Sequence, residues 1–275
     1  MRGTLYVVAT PLGNLGDLSP RAAETLKRVA VVAAEDTRRT RPLLGHVGSG
    51  AELVSVHAHS PDAAIERVLR QLAGGRDVAL VTDAGTPAVS DPGVALVAAA
   101  RARDFPVVTI PGPTAVAAAL AVSGLSADRY VFLGFLPRKG GDRQRLLDTI
   151  AKSEWTVVVF EAPNRTAELL DDLVAACGAE RRGAVARELT KLFEETRDGT
   201  LAQLAGYYRD TPPRGEVTVI VSGTGVPSHE APRPDPEARA RVLLAEGMTR
   251  RDVADRLAQE TGISRNSAYR LVNEL

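Results

Sequence analysis

The stretch VALVTDAGTPAVSDPG, residues 78–93, decides the fold class of this chain. It starts with a short β-rich run, residues 78–83, and continues into a loop that holds two carboxylates, two hydroxyls and two glycines. A loop that merely connects two elements needs far fewer such residues. Ligands of open α/β sheets bind outside the carboxyl ends of the strands, so this loop is predicted to line a binding cleft.

Similar β-rich runs lie on both sides of this stretch, at residues 5–10, 29–34, 52–57 and 106–111. Amphipathic or alanine-rich segments separate them. This alternation is typical of an α/β domain with a largely parallel sheet, which we assign to residues 1–125.

Two further loops rich in glycine and proline follow strands of this domain. TPLGNLG occupies residues 10–16, and PGPT occupies residues 111–114 before an alanine-rich helix at 115–122. Neither GxGxxG nor GxxxxGKS/T is present, so a Rossmann dinucleotide site and a P-loop both lack their physical basis. The first loop alone is also compatible with an ordinary turn, but three such loops after three strands predict one shared cleft.

The pattern changes near residue 126. RYVFLGFLP, WTVVVFE, GAVARELT and EVTVIVSG are longer strand candidates separated by fewer helices, of which the clearest spans 163–176. We therefore expect a second α/β domain, residues 126–223, with a more antiparallel sheet.

The rest of the chain is predicted to be a linker and a small helical module. Residues 224–236 contain four prolines, which hold a backbone extended. Residues 237–275 are predicted to be wholly helical, with Thr249 and Ser264 as N-caps around a glycine-containing turn, the pattern of a helix-turn-helix.

Bulk charge does not identify a partner. The chain has 275 residues, with 34 Lys+Arg against 34 Asp+Glu, and its net charge is zero. Of the 34 basic residues, 30 are arginine, a bias that suits forked contacts to phosphate or carboxylate but equally fits a genomic preference. Any nucleic-acid contact therefore depends on local patches.

Composition also narrows the cell compartment and the metal chemistry. Cys177 is the only cysteine, so a disulfide framework and a cysteine-rich zinc site are excluded. No apolar run approaches the roughly 18 residues of a spanning helix or forms a signal-like core, and we expect a soluble, cytoplasmic protein. His57 and His59 have strand-like spacing that directs them to opposite faces, and no metal site is predicted.

Seven motifs, in order, carry a family resemblance over about residues 3–222. They are ATPLGNLGDLSPRA, AAEDTRRT, LVTDAGTPAVSDPG, PGPTA, FLGFLPRKG, FEAPNR and ARELTKLFEE. Together they closely resemble the tetrapyrrole methylase superfamily of S-adenosylmethionine-dependent methyltransferases. Within it, AAEDTR, DAGTP and RELTK resemble the family of 16S ribosomal RNA cytidine 2′-O-methyltransferases.

The resemblance implies two α/β domains that hold S-adenosylmethionine in the cleft between them, usually in a homodimer. It implies as substrate a cytidine near the P site of 16S rRNA, presented as RNA or as the small ribosomal subunit. By position, the residues implied to line the cofactor are Pro11, Asp83, Ala84, Gly85, Thr86, Pro87, Val89, Thr114, Ala115, Glu161, Ala162 and Leu189.

Methyl transfer to a ribose hydroxyl needs the reacting atoms in line and a group that takes the hydroxyl proton. The candidates for a catalytic role are Glu35, Asp36, Glu188 and Lys191, with His57 less favoured. Glu35 and Asp36 are equally compatible with an ion pair that caps the next helix, and Glu188 and Lys191 with a charge cluster at a strand end.

Two arginine-rich clusters are candidates for phosphate contacts. The first contains Arg38, Arg39 and Arg41. The second contains Arg138, Lys139, Arg143 and Arg145, beside the Gly140-Gly141 pair. Ordinary solvated charge is the alternative for each cluster.

Two other functions remain open at this point. A tetrapyrrole carbon methyltransferase would share the cofactor cleft, and a ligand-sensing regulator would use the C-terminal helices to bind DNA. The last predicted helix is weakly basic for a DNA reader, with Arg265 and Arg270 against Glu274. We therefore interpret residues 237–275 as an accessory module that docks to RNA or the ribosome, or as a purely structural element.

Overall fold

The computed structural model describes residues 2–57, 62–225, 236–261 and 263–275. The chain forms two compact units, Met1–Gly225 and Val226–Leu275. The first unit contains two five-stranded sheets, and the second unit is helical.

The first sheet is parallel throughout, with the strand order β3-β2-β4-β1-β5. Its strands are β1 (Leu5–Val8), β2 (Val31–Ala34), β3 (Glu52–Ser55), β4 (Val78–Val81) and β5 (Val107–Ile110). The helices of this half are α1 (Pro20–Arg28), α2 (Thr37–Val47), α3 (Asp62–Ala73), α4 (Val94–Ala102) and α5 (Ala115–Val122). The predicted parallel sheet is confirmed.

The two central strands β2 and β4 are buried along their whole length. Neighbouring side chains on β4, Leu80 and Val81, belong to different hydrophobic clusters, because successive residues of a strand point to opposite faces. Both faces therefore need apolar residues, which explains why these strands are unbroken apolar runs in the sequence.

The second sheet is mainly antiparallel, with the order β6-β7-β10-β8-β9, in which only β6 and β7 pair in parallel. Its strands are β6 (Tyr130–Phe135), β7 (Thr156–Glu161), β8 (Arg182–Arg187), β9 (Glu195–Thr200) and β10 (Val217–Val221). Its helices are α6 (Gly141–Lys152), α7 (Thr166–Cys177) and α8 (Leu201–Asp210). The predicted antiparallel character is confirmed.

The edge strand β9 was not predicted, because its sequence ETRDGT has no apolar pattern. Charge pairing with β8 accompanies its backbone ladder: Arg187 lies opposite Glu195 and pairs with it at 2.6 Å. Charged side chains on an edge strand also discourage pairing with another chain.

Helix α5 joins the two halves of the first unit. Val116, Ala119 and Leu120 share one hydrophobic cluster with Val158 of β7 and Ile220 of β10. The helix sequence AVAAALAV is apolar throughout; Val116, Ala119 and Leu120 are buried, Val122 is exposed, and the small alanines permit close packing. This packing fixes the second sheet beside the carboxyl ends of β1, β4 and β5.

The second unit has its own small core. It contains α9 (Pro236–Ala245), α10 (Arg250–Thr261) and α11 (Arg265–Glu274), and its buried residues include Leu243, Val253, Leu257, Ala268 and Val272. Thr249 accepts a hydrogen bond from the Asp252 amide at 3.3 Å, and Ser264 accepts one from the Ser267 amide at 3.1 Å. The predicted C-terminal helices and both caps are confirmed.

Two further observations concern only the described part of the chain. Residues 226–235 of the predicted linker lie outside it. None of its helices combines the length and apolar character that crossing a membrane requires.

Candidate functional site

The three loops that follow β1, β4 and β5 lie together. The backbones of Thr10 and Gly85 exchange two hydrogen bonds, at 2.8 and 3.1 Å, and the Thr86 hydroxyl donates to the Pro113 carbonyl at 3.2 Å. The strand order places β1 between β4 and β5, so all three loops leave the same edge of the sheet. The prediction of a shared cleft is confirmed.

The loop after β4 has a constrained backbone. Gly85 has φ +85°, and a β-carbon there would lie 3.3 Å from Leu12. Ala88 and Ser90 are also left-handed, with φ of 69° and 58°, although neither is glycine. Such conformations cost about 1–3 kcal/mol each and cluster at functional sites. The loop therefore has a specific shape that its connecting role does not require.

A cleft of about 420 Å³ lies between these loops and the second sheet, a volume suited to a small-molecule ligand. From the first half it is lined by Leu12, Glu35, Asp83, Ala84, Gly85, Thr86, Val89, Ser90, Asp91, Thr114 and Ala115. From the second half it is lined by Phe135, Phe160, Glu161, Ala162, Pro163, Gly215, Glu216, Val217 and Thr218.

Most residues expected to contact a cofactor lie in this lining. The exceptions are Pro11, Pro87 and Leu189. Pro11 and Pro87 are buried and adjoin lining residues in the sequence, and Leu189 packs in the cluster around α5. Sequence reasoning placed Ser90 and Asp91 in a cleft loop without a specific role, and it missed the cleft residues Phe135, Phe160 and 215–218. The FLGF motif around Phe135 was a usable signal, whereas nothing in the sequence linked residues 215–218 to the loop after β4.

The cleft is acidic and partly apolar. Its described lining holds five carboxylates and neither Arg, Lys nor His; the acidic residues are Glu35, Asp83, Asp91, Glu161 and Glu216. Phe160 packs against Phe135 with ring centroids 5.5 Å apart. A lining of this kind attracts a cation and disfavours the entry of a phosphate.

Asp91 has an unusual environment within the cleft. Burial raises the pKa of its carboxyl to about 6, against a hydrogen bond from Thr82 that lowers it. The negative charges of Glu35, Asp83 and Glu216 raise it further. Glu35 is a second acceptor for the single Thr82 hydroxyl proton, at 3.1 Å. Asp91 therefore changes its charge at a higher pH than an ordinary aspartate does.

Asp36 has the geometry of a helix cap. Its side chain accepts a hydrogen bond from the Arg38 amide at 2.8 Å at the start of α2 and pairs with the Arg38 guanidinium at 2.7 Å. Hydrogen bonds from Arg38 lower the pKa of Asp36 to about 2. Asp36 does not belong to the cleft lining, whereas Glu35 does.

Glu188 and Lys191 form an ion-pair cluster outside the cleft lining. The Lys191 ammonium lies 3.0 Å from Glu188 and 3.2 Å from Glu216. Burial acts to lower the pKa of Lys191, but hydrogen bonds and attraction from the two carboxylates outweigh it and raise that pKa. Lys191 is therefore protonated, and its aliphatic stem lies against Gly13, where a β-carbon would overlap it.

Glu161 is nearly fully buried at the cleft wall. One carboxylate oxygen accepts a hydrogen bond from the Ala162 amide at 2.8 Å. The other lies 3.2 Å from the Arg165 guanidinium without a well-aligned hydrogen bond. This oxygen keeps capacity for a ligand donor.

The 57–59 segment holds the less favoured catalytic candidate, His57. His57 is absent from the described cleft lining, and His59 lies outside the described residues. Within the described ranges, no group of three or more His, Cys, Asp or Glu side chains is arranged to hold a metal ion.

The arginine clusters divide by exposure. Arg38, Arg39 and Arg41 are exposed on α2, and Arg39 pairs with Asp83 at 3.3 Å. Arg138, Lys139 and Arg145 are also exposed.

Arg143 does not belong with the exposed residues. Its side chain is 7% exposed and contacts Asp172 of α7 at 2.6 Å and the Pro137 carbonyl at 2.9 Å. A guanidinium used in this way is not available to a phosphate. The expectation that Arg143 contacts RNA is therefore corrected: its contacts join α6 to α7.

Comparison with known proteins identifies the family of this chain. Residues 4–205 match the family described as Tetrapyrrole (Corrin/Porphyrin) Methylases. The chain is 44% identical over 275 residues to ribosomal RNA small subunit methyltransferase I of Synechocystis sp., covering 99% of this chain and 98% of that protein. It is 37% identical over 278 residues to the protein of the same name from Escherichia coli O157:H7, with 99% and 96% covered.

Solved structures support the fold. Cobalt precorrin-4 methyltransferase superposes with a TM-score of 0.63 at 19% identity, covering 80% of this chain and 94% of that one. Uroporphyrin-III C-methyltransferase from Thermus thermophilus, complexed with S-adenyl homocysteine, gives 0.58 at 19% identity, with 80% and 97% covered. The motif resemblance is confirmed: the chain belongs to the tetrapyrrole methylase family and, within it, to the family of ribosomal RNA small subunit methyltransferases I.

Proposed function

We propose that this protein transfers a methyl group from S-adenosylmethionine to the ribose 2′-hydroxyl of a cytidine near the P site of 16S rRNA. The observation that carries the proposal is the near full-length likeness to proteins named for methylating small-subunit ribosomal RNA. The two-sided acidic cleft supports it, because its residues fit the proposed cofactor.

The fit to S-adenosylmethionine rests on charge. The cofactor carries a sulfonium and an ammonium against one carboxylate, so it is a net cation, and the described cleft lining is acidic without a basic residue. Thr114 makes no capping hydrogen bond to α5, so the first-turn amides of this helix are available to a carboxylate. Phe135, Phe160 and Leu12 offer apolar surface to a flat ring.

When bound, the cofactor supplies a methyl group already activated by positive sulfur. The chain's task is to exclude water and to hold the acceptor oxygen in line, which accounts for much of the rate in such reactions. Of the four residues predicted to be catalytic, Glu35 lines the cleft. Lys191 pairs with Glu188 and with the cleft residue Glu216, whereas Asp36 caps α2.

The distribution of charge supports an RNA substrate. Phosphates are disfavoured inside the acidic cleft but attracted to exposed arginines, so the RNA backbone stays outside while a ribose enters. The residues proposed for backbone contacts are Arg38, Arg39, Arg41, Arg138, Lys139 and Arg145. On α11, Tyr269 and Arg270 are exposed and are proposed to dock to RNA or the small subunit.

A homodimer in the cytoplasm is part of the same proposal. Leu192 and Phe193 lie in the loop after β8 with 89% and 69% of their surface exposed. Two adjacent apolar side chains at such exposure favour burial against another protein surface. The proposed substrate is also a cytoplasmic one.

The decisive experiment incubates the protein with methyl-labelled cofactor and unmethylated 16S rRNA, small subunits or uroporphyrinogen III. A 2′-O-methyl group blocks alkaline cleavage of the adjacent phosphodiester, so the expected product is a labelled, alkali-resistant dinucleotide with cytidine at its 5′ position. Label in uroporphyrinogen III alone would overturn the proposal, and so would RNA label that alkali releases as mononucleotides.

A further inference from the structure

We infer that Asp91 accepts the proton of the 2′-hydroxyl during methyl transfer, and that Thr82 and Glu35 are its positioning residues. The inference rests on the proposed function and deepens it, because it assigns the proton acceptor within the same cleft.

Asp91 is distinguished from the other cleft carboxylates by its partners. Asp83 pairs with Arg39, Glu161 with Arg165, and Glu216 with Lys191. In the part of the chain that the structure describes, Asp91 and Glu35 have no such cation and meet instead at the Thr82 hydroxyl. A carboxylate tied to a cation is a weak proton acceptor, so these pairings leave Asp91 and Glu35 as the stronger bases.

Thr82 lies beside both remaining carboxylates, Glu35 and Asp91. Its hydroxyl has one proton, for which Glu35, at 3.1 Å, and Asp91 compete. Glu35 approaches from the end of β2, Asp83 from the end of β4 and Glu216 from the start of β10, and all three face Asp91 with negative charge. Their repulsion makes a proton on Asp91 favourable.

The pKa of Asp91, about 6 through burial and these charges, agrees with the assigned role. At neutral pH the carboxylate is mostly ionised and is therefore able to receive a proton. It also holds that proton far better than an ordinary aspartate does. A base works best when its pKa lies near the working pH.

The backbone holds Asp91 in place before any ligand binds. Ala88 and Ser90 are left-handed, and the Ala88 amide donates to the Pro92 carbonyl at 3.2 Å, which closes the turn around Asp91. A preorganised base needs no rearrangement during the reaction.

The Asp91 carboxylate takes the proton of the 2′-hydroxyl, and the ribose oxygen forms its bond to the methyl carbon. The electron pair of the broken carbon–sulfur bond stays on the sulfur, which becomes a neutral thioether. Asp91 then releases its proton to solvent.

The test compares Asp91→Asn with Asp128→Asn, a change at an exposed aspartate outside the cleft lining. We expect Asp91→Asn to lower kcat by about 100-fold or more, the usual contribution of a general base. Its dissociation constant for S-adenosylmethionine, measured by calorimetry, should stay within about threefold of the unchanged protein. Asp128→Asn should match the unchanged protein in both.

A pH profile distinguishes a proton acceptor from a residue that only stabilises the cleft. In the unchanged protein kcat/KM should rise as pH increases through about 6, and Glu35→Gln should move this limb to lower pH because it removes a repelling charge. Carbon NMR of labelled aspartate, recorded without cofactor, should show one carboxyl that titrates near 6 and disappears in Asp91→Asn.

The outcomes distinguish this inference from the proposed function. Failure of the unchanged protein to methylate RNA contradicts the function. An active unchanged protein whose Asp91→Asn variant keeps its turnover, or loses cofactor binding instead of turnover, overturns the role of Asp91. Absence of the NMR titration overturns it even if the variant does not fold.

Discussion

The side chain of Ser90 lies directly over the α-carbon of Gly134. A β-carbon on Gly134 would come within 2.5 Å of the serine hydroxyl oxygen. Ser90 belongs to the loop after β4, and Gly134 belongs to β6, where the pairing with β7 is irregular between Phe132 and Phe135. A glycine at such an irregularity allows another backbone segment to approach closely. This contact joins the two halves of the cleft.

Gly134→Ala is therefore expected to open the cleft and weaken cofactor binding by about tenfold or more. The alanine would clash with Ser90 and would also occupy φ +63°, a conformation that costs about 1–3 kcal/mol without glycine. Calorimetric titration with S-adenosylmethionine measures the effect.

Two variants control this prediction. Gly45→Ala lies in α2 with no atom within 4 Å of the new methyl group and should bind cofactor normally. Ser90→Gly combined with Gly134→Ala removes the clash but not the backbone strain, so it should recover part of the affinity. Normal binding by Gly134→Ala alone would show that the Ser90 contact does not shape the cleft.

The acidic lining predicts a preference for a cationic cofactor. Raising the salt from about 50 to about 500 mM should weaken S-adenosylmethionine binding several-fold more than S-adenosylhomocysteine binding, because salt screens attraction to the sulfonium and the product sulfur is neutral. Calorimetry with both ligands measures the two slopes. Equal slopes would mean that the cleft carboxylates do not contribute to cofactor selection.

The first sheet was predictable because its physical signal is local. β2 and β4 are covered on both faces, so every residue is apolar and each strand stands out in the sequence. β9 is a half-buried edge strand, and it pairs with β8 alone in the described sheet, which no local pattern reveals.

The site was predictable in part for the same reason. The loop after β4 is recognisable from its composition. The pKa of Asp91, however, depends on Glu35 and Glu216, which come from distant parts of the chain. The expectation that Arg143 contacts RNA failed for a different reason. Charge clustering suggested a surface, although Arg143, Leu147 and Ile150 lie at helical spacing and are buried on one face of α6.

Asp91→Asn should make the protein more stable at a pH of about 8. The folded-state pKa of Asp91, about 6, lies above the value of about 3.9 for an unfolded aspartate, so the ionised carboxylate destabilises the fold at high pH. This penalty is full above pH 6, fades between about 6 and 4, and is absent below. Thermal unfolding of both proteins across this range measures the difference in Tm.

Asp128→Asn is the matched control, since an exposed aspartate should give no such pH-dependent difference in Tm. A lower Tm for Asp91→Asn at a pH of about 8 would contradict the described repulsion. A variant that is both inactive and more stable is the behaviour expected where function requires an unfavourable local arrangement.

Arg143→Ala and Arg145→Ala, two residues apart on α6, should separate stability from RNA binding. Arg143→Ala should lower the free energy of unfolding by about 2 kcal/mol, because it leaves Asp172 and the Pro137 carbonyl without their partner. Arg145 is exposed, and among the described residues its ion pair is with Asp142 on its own helix, so its loss should cost at most about 0.5 kcal/mol. Urea unfolding measures both free energies of unfolding.

Binding of 16S rRNA should show the opposite order. Arg145→Ala should reduce both the affinity and its dependence on salt. Arg143→Ala, measured at a temperature where it is folded, should leave both unchanged. Weaker RNA binding by folded Arg143→Ala would place that guanidinium at the RNA surface after all.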